Sequence, residues 1–188
     1  MRWSEGDWLG IGFFFTAAAL SLEVLMERIS FFGILNLLHN VLIGILFCVR
    51  KHSDREDPVG LMLALVTVSW PMGVGKNFAS GIWEGSALFG MCLILWSLVT
   101  LGRSFGLAPA DRGLVQRGPY RIVRHPMYLG ELIYQISCFA GSFSIVRLGL
   151  LLGFVGLEII RILREERLIA GYDRYSEKTR WRLLPGIW

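Results

Sequence analysis

Residues 82–101 read IWEGSALFGMCLILWSLVTL, an apolar run in which Glu84 is the one charged side chain. A helix of about 20 such residues spans the hydrocarbon core of a bilayer. Comparable apolar runs predict further membrane helices at Trp8–Met26, Ile29–Val49, Val59–Gly75, Met127–Gly141 and Ile145–Leu163. We therefore expect an all-α bundle of five to six transmembrane helices, with the last two segments forming a C-terminal helical hairpin.

The composition supports the membrane interpretation. Hydrophobic residues make up 54% of the chain and charged residues 18%, against about 45–50% and about 25% in ordinary soluble domains. We expect one membrane domain with two parts. Residues 1–101 supply N-terminal transmembrane helices, and residues 102–188 supply a Gly- and Arg-rich loop, the hairpin and a basic tail.

The distribution of positive charge predicts the orientation. With six spans and both termini on one side, the opposite side holds only Arg28, Lys76 and Arg147, and the other 16 of the 19 Lys and Arg residues fall on the terminal side. The positive-inside rule then predicts a multi-pass protein with both termini in the cytoplasm. The net charge of +4 indicates contact with anionic lipid headgroups rather than nucleic acid.

The three cysteines lie in separate apolar segments without paired spacing: Cys48, Cys92 and Cys138. This pattern predicts neither a disulfide framework nor a zinc site, so we expect no metal. The sequence leaves the oligomeric state open.

The segment from Gly118 to Gly130, GPYRIVRHPMYLG, combines helix-breaking and helix-starting signals. Pro126 suits the first turn of a helix, where its missing N–H costs nothing. The N-terminus of that helix is a favourable position for a carboxylate. One turn later, Gly130 is expected to leave room for a ligand against the backbone.

On the last apolar segment, Glu158, Arg161 and Glu165 recur at positions i, i+3 and i+7, so they share one helix face. Arg161 can pair with either acid. The carboxylates could bind an amine or a sulfonium, and the arginine could bind an anion. The same residues also fit a plain ion pair that closes a helix end, and His125 fits a simple N-cap.

The order of these motifs resembles the isoprenylcysteine carboxyl methyltransferase family, part of a wider membrane group that includes phospholipid N-methyltransferases. The resemblance covers roughly residues 100–188. It rests on the following residues: Leu114, Val115, Gly118, Tyr120, Arg124, His125, Pro126, Tyr128, Gly130, Arg161, Glu165, Glu166, Tyr172, Tyr175, Leu184 and Pro185.

The resemblance implies that the C-terminal half binds S-adenosylmethionine and that the acceptor is the carboxylate of a lipidated cysteine arriving from the bilayer. The implied cofactor-binding residues are Arg112, Gly113, Leu114, Val115, Tyr120, His125, Pro126, Met127, Tyr128, Glu165 and Glu166. Arg161 and Glu165 are the catalytic candidates, and Arg161 and Glu158 are the candidates for acceptor binding.

The implied chemistry suits these residues. Methyl transfer is an in-line displacement that depends mainly on positioning, and a carboxylate acceptor is already ionised at neutral pH. Three rival functions remain: methylation of a phospholipid amine or a small lipophile, reduction with a nicotinamide cofactor, and a non-catalytic membrane scaffold. The retention of Arg161, His125 and both glutamates argues against the scaffold.

Overall fold

The computed structural model describes most of the chain. The described residues are 5–27, 29–51, 53, 57–68, 82–107, 110–141 and 143–188. Within them the regular structure is helical, as the composition predicts. The α-helices in these described ranges are α1 (Glu5–Glu27), α2 (Phe31–Val49), α3 (Pro58–Val68), α4 (Ile82–Leu101), α5 (Pro126–Gly141), α6 (Ile145–Leu168) and α7 (Tyr172–Lys178).

Two of these helices begin at serine caps. The side chain of Ser30 accepts a hydrogen bond from Gly33 N–H at 3.0 Å and starts α2. The side chain of Ser144 accepts from Arg147 N–H at 3.2 Å and starts α6. Both serines satisfy N–H groups that the first turn of a helix leaves without a partner.

Among the described residues, three helices are long and apolar enough to cross a membrane: Trp8–Glu27, Phe31–Val49 and Ile82–Ser104. Their outer faces carry large exposed apolar side chains, such as Met26 and Phe89, as lipid-facing surfaces do. The predicted third span, Val59–Gly75, is helical up to Val68, and its remainder lies outside the described residues. Helix α5, with 16 residues, is shorter than a full span, and α6 carries charges in its second half.

The core between α1 and α2 is aromatic near one end of the two helices and polar further along them. Phe47 of α2 stacks on Phe14 of α1, with ring centres 5.8 Å apart, and meets Phe105 edge-on at 5.7 Å. Further along the same two helices, the amides of Asn36 and Asn40 each donate to the Ser21 hydroxyl at 3.1 Å. Such bonds hold helices together where lipid offers no alternative partner.

A pair of glycines sets the distance between α4 and α5. A Cβ built on Gly130 would lie 2.7 Å from the Gly90 carbonyl oxygen, and one on Gly90 would lie 2.7 Å from the Gly130 oxygen. No side chain fits at either position without moving a backbone. The prediction that Gly130 makes room for a ligand is therefore wrong, because the space beside it is taken by α4.

The N-terminal half is tied to α6 by an ion pair. The Arg164 guanidinium donates from Nη2 to Asp57 Oδ1 at 2.7 Å, and its Nε donates to the other carboxylate oxygen. The Arg164 hydrogen bond, opposed by burial, lowers the pKa of Asp57. Asp57 immediately precedes α3, so this pair fixes α3 beside α6.

Candidate active site

The segment that leads into α5 is held by the C-terminal tail. Gly118 starts a short 3₁₀ helix (Gly118–Arg121) with φ +56°, and a Cβ there would lie 2.9 Å from the Thr100 hydroxyl. Arg124 N–H then donates to Trp181 O at 2.8 Å, and His125 N–H donates to Arg182 O at 2.9 Å. These bonds between the two segments place His125 and the start of α5 at a fixed position.

A cavity of about 730 Å³, partly open to solvent, lies where this segment meets the end of α4 and the end of α6. The lining residues are Leu101, Ser104, Gly106, Ala110, Arg112, Gly113, Leu114, Val115, Tyr120, Arg124, His125, Met127, Tyr128, Glu165, Ile169, Tyr172 and Tyr175.

Nine of the eleven cofactor candidates predicted from the sequence line this cavity. They are Arg112, Gly113, Leu114, Val115, Tyr120, His125, Met127, Tyr128 and Glu165. The other two, Pro126 and Glu166, are outside the lining. Pro126 is fully buried in the first turn of α5, where it shapes the helix start instead of facing the cavity.

Glu165 is the acidic side chain of the cavity. Its side chain is 30% exposed, and Oε2 accepts a hydrogen bond of 2.8 Å from the Tyr128 hydroxyl. Tyr128 itself is 5% exposed. The bond therefore fixes the direction of the Glu165 carboxylate and leaves part of it accessible to a bound molecule.

Glu166 belongs to an ion-pair network that joins α6 to the tail. Its carboxylate contacts Arg182 Nη2 (2.9 Å), Arg124 Nη1 (3.2 Å), His125 Nε2 (3.3 Å) and the Tyr172 hydroxyl (3.1 Å). Burial alone raises the pKa of Glu166, but the bonds from His125 and Arg182 outweigh it and lower the pKa to about 2. Glu166 therefore links α6 to the tail, and its role in cofactor binding stays a prediction.

The acid stability of the protein should reflect this network. Because the folded-state pKa of Glu166 lies below its ordinary value of 4.5, its stabilisation is present above pH 4.5 and is lost as the pH falls toward about 2. We expect Glu166→Gln to lower the melting temperature of the detergent-solubilised protein at neutral pH. The further fall of the melting temperature on acidification should be smaller in this variant than in wild type. Glu177→Gln, at an exposed position of α7, is the control. If the melting temperature falls equally steeply with decreasing pH in wild type and in Glu166→Gln, the prediction is contradicted.

The loop of residues 110–115 is held by the N-terminal half of the chain. Arg112 Nε donates to Lys51 O at 3.1 Å, and Lys51 Nζ donates to Arg112 O at 3.2 Å. Lys51 follows α2 directly, and sequence reasoning did not connect it with the site. Nothing in the spacing of the motifs indicates this contact, since the two residues lie 61 positions apart.

Arg161 lies in a buried cluster beside the cavity and is not part of its lining. Nη1 donates to Glu158 Oε1 at 2.7 Å and to the Thr67 hydroxyl at 2.8 Å. Glu131 Oε2 lies 3.7 Å from the same nitrogen. The guanidinium also stacks over the ring of Tyr128 at 4.7 Å, so Tyr128 touches both the cavity and the cluster.

The structure thus resolves which acid pairs with Arg161. Sequence reasoning allowed Glu158 or Glu165, and the partner is Glu158, while Glu165 bonds to Tyr128. Glu131 was missed by that reasoning. The signal available was an acid one turn after Tyr128 in an apolar segment, which places both on one face of α5.

The long apolar helices support an integral membrane protein, and its cavity carries several ionisable side chains. Residues 83–171, a little under half of the chain, match the model of the isoprenylcysteine carboxyl methyltransferase (ICMT) family, and this match supports membership of that family. The match contains the cavity residues from Leu101 to Ile169 and ends before α7. Comparison with curated proteins found no match.

Proposed function

We propose that the protein transfers a methyl group from S-adenosylmethionine to a carboxylate of the isoprenylcysteine type on a lipophilic acceptor. The observation that carries the proposal is the convergence of nine cofactor candidates on one cavity, inside the region that matches the family. The cavity lies beside the Arg161 cluster, which is buried among α3, α5 and α6.

The cavity residues suit this cofactor, which when bound supplies a methyl group from a sulfonium centre. The partly exposed side chain of Glu165 ends in a carboxylate that can accept a hydrogen bond from an amino group. At the start of α5, Leu129 N–H donates a hydrogen bond to His125 O at 3.0 Å. The N–H groups of Met127 and Tyr128, which precede Leu129 in the first turn of the helix, can donate to a carboxylate. Tyr120 and Leu114 contribute apolar surface to the cavity.

Arg161 is the residue that we assign to the acceptor. Its Nη1 is occupied, but its Nε is buried without a hydrogen-bond partner among the described residues. A buried N–H without a partner costs about 1–3 kcal/mol, and an acceptor oxygen would relieve this cost. Arginine is suited to the role because its fork of donors matches the two oxygens of a carboxylate.

The proposal is tested on detergent-purified protein with three ligands. Calorimetry should give binding of S-adenosylmethionine and none of a nicotinamide dinucleotide. Methyl transfer should then be measured with labelled cofactor, comparing S-farnesyl N-acetylcysteine with phosphatidylethanolamine. Methylation of the phospholipid amine alone would refute the carboxylate assignment, and binding of the nicotinamide cofactor alone would favour a reductase.

We further propose that five to six helices span the bilayer, with α5 and α6 as a hairpin and both termini in the cytoplasm. The cofactor then enters from the cytoplasm and the acceptor enters sideways from the bilayer. In a variant without native cysteines, single cysteines at Ser53 and Arg121 should react with an impermeant reagent from the cytoplasmic side. A cysteine at Phe143, which is 72% exposed, should react from the other side. Labelling of all three from one side would refute this topology.

A further inference from the structure

His125 lies between two glutamates that face different nitrogens of its ring. Nε2 lies 3.3 Å from Glu166 Oε1 and 2.9 Å from the Tyr172 hydroxyl oxygen. Nδ1 lies 3.9 Å from Glu165 Oε2, which is too far for a direct hydrogen bond. The His125 side chain is 4% exposed, and it lines the cavity together with Glu165 and Tyr172. One ring nitrogen is thus bonded within the protein, and the other has no hydrogen bond from the described residues.

The partners of Nε2 are a carboxylate and a hydroxyl that also contact each other. The Tyr172 hydroxyl lies 3.1 Å from Glu166 Oε1. Against the effect of burial, the bonds from His125 and Arg182 lower the pKa of Glu166 to about 2, so its carboxylate only accepts hydrogen bonds at neutral pH. Burial and the nearby charge of Glu166 raise the pKa of Tyr172. The hydroxyl therefore keeps the single hydrogen that it can donate.

These contacts determine which nitrogen of a neutral His125 ring carries the proton. With the proton on Nε2, the ring donates to the Tyr172 oxygen, and the Tyr172 hydroxyl donates to Glu166. With the proton on Nδ1, the hydroxyl would have to donate to Nε2, and the Tyr172 and Glu166 oxygens would face each other at 3.1 Å without a hydrogen between them. Two acceptors in such a contact repel each other. The network therefore favours the tautomer with the proton on Nε2.

In this tautomer Nδ1 has a free lone pair beside the Glu165 carboxylate. Nδ1 and Glu165 Oε2 are then two acceptors 3.9 Å apart. A donor nitrogen at the usual distance of about 2.9 Å from each of them fits between the two atoms. Oε2 already accepts from the Tyr128 hydroxyl, but a carboxylate oxygen has a second lone pair. A primary ammonium group suits this pair of acceptors, because it has several hydrogens to donate and its charge is opposite to that of Glu165.

On the premise that the cavity binds S-adenosylmethionine, we propose that His125 Nδ1 and Glu165 together accept the amino group of the cofactor. Glu166 and Tyr172 are then positioning residues, because they hold His125 in the tautomer that can accept. The start of α5, where the carboxylate of the cofactor is proposed to bind, follows His125 directly. An α-amino acid carries its amino and carboxylate groups on one carbon, so it requires acceptors and donors side by side.

The first test determines the tautomer in the ligand-free protein. The chain has three histidines, and nitrogen NMR of protein with isotope-labelled histidine distinguishes protonated from unprotonated ring nitrogens. The spectra are recorded above the pH range in which imidazole ordinarily titrates, and His125→Gln assigns the His125 signals by their loss. We expect a protonated Nε2 and an unprotonated Nδ1. A proton on Nδ1, with or without one on Nε2, would overturn the proposal.

The same spectra report on the bound ligand. Saturation with S-adenosylhomocysteine, which carries the same amino group, should shift the Nδ1 signal, because that nitrogen then accepts a hydrogen bond. The Nε2 signal should change much less, since its partners remain Glu166 and Tyr172. An Nδ1 signal that does not move at saturation would overturn the proposal.

The second test replaces the two ring nitrogens one at a time. Glutamine places its amide NH₂ near the position of Nε2, so His125→Gln keeps the donor toward Tyr172 and loses the acceptor at Nδ1. Asparagine places its amide oxygen near the position of Nδ1, so His125→Asn keeps the acceptor and loses the donor. His125→Gln should therefore have the higher melting temperature of the two variants. It should nevertheless bind S-adenosylhomocysteine roughly ten- to a hundredfold more weakly than wild type, the effect of one hydrogen bond to a charged group.

The two variants separate ligand contact from structural support. His125→Asn should bind S-adenosylhomocysteine more tightly than His125→Gln although it melts at a lower temperature. If affinity instead follows the melting temperature, His125 only supports the fold and the proposal is overturned. The control is His39→Gln, a substitution on α2 outside the cavity lining, which should keep the affinity of wild type.

Ligand analogues identify the group that His125 contacts. Methylthioadenosine has the nucleoside and the sulfur without the amino acid, and decarboxylated S-adenosylmethionine keeps the amino group without the carboxylate. His125→Gln should bind methylthioadenosine as wild type does and should lose affinity for the decarboxylated compound. An equal loss for both analogues would place His125 at the nucleoside and overturn the proposal.

Two results distinguish this proposal from the proposed function. If wild type binds S-adenosylmethionine and His125→Gln binds it equally well, the role of His125 falls and the proposed function stands. If wild type binds neither S-adenosylmethionine nor S-adenosylhomocysteine, the proposed cofactor falls and the role of His125 falls with it.

Discussion

Replacing Arg161 by lysine is expected to reduce methyl transfer by roughly ten- to a hundredfold while leaving cofactor affinity unchanged. Lysine keeps one positive charge, so Glu158, which bonds to Nη1 at 2.7 Å, retains an ionic partner. It cannot also supply the second donor that Nε offers to an acceptor. The loss of one hydrogen bond between charged groups corresponds to about 1.5–3 kcal/mol. Steady-state kinetics with S-farnesyl N-acetylcysteine and calorimetry with the cofactor measure the two quantities.

The control is Arg167→Lys, at an exposed position on the same helix, which should behave as wild type. The reason for expecting separate effects is structural, since Arg161 lies outside the cavity lining. Equal loss of turnover and cofactor affinity would place Arg161 in the cofactor site or in the scaffold. The assignment of a carboxylate acceptor would then lose its main support.

The long helices could be predicted closely because their signals are local. The predicted span Ile82–Leu101 coincides with α4, and Ile29–Val49 differs from α2 by two residues at its start. Ser30 caps the helix at that point, and a prediction from the apolar run alone does not take the cap into account. An apolar run of bilayer length specifies a helix without reference to the rest of the fold.

The candidate cavity could be predicted in large part for a different reason. The cofactor candidates between Arg112 and Tyr128 lie in one short segment, and the helix start at Pro126 orients them together. The fold needs only to bring Glu165 to this segment. Whether these residues bind a cofactor remains a prediction, which the calorimetry described above tests.

The contacts that sequence reasoning missed depend on how helices rotate against each other. Glu131 meets Arg161 only because α5 and α6 turn these faces together, and spacing within one helix does not determine that rotation. Which glycines lie at a close helix contact depends on the same rotation. Gly149 and Gly153 are spaced four residues apart, a pattern typical of close helix packing, yet a Cβ on Gly149 meets no atom within 4 Å in the described part of the chain. The close approach occurs at Gly90 and Gly130 instead.

Replacing Glu165 by glutamine should raise the dissociation constant of S-adenosylmethionine by roughly ten- to a hundredfold. The amide oxygen can still accept the Tyr128 hydrogen bond, which measures 2.8 Å in the structure, so the side chain should keep its position and lose only its charge. A bond to a charged group contributes about 1.5–3 kcal/mol. Calorimetry measures the affinity, and Glu177→Gln, at an exposed position of α7, is the control.

A comparison with S-adenosylhomocysteine shows which group of the cofactor Glu165 contacts. Both compounds carry the same amino group, and only S-adenosylmethionine carries the sulfonium charge. If Glu165 holds the amino group, the variant should lose affinity for both compounds by the same factor. A loss confined to S-adenosylmethionine would place the carboxylate at the sulfonium instead. Unchanged affinity for both, with an unchanged melting temperature, would remove Glu165 from the site and leave the cavity without its proposed anionic anchor.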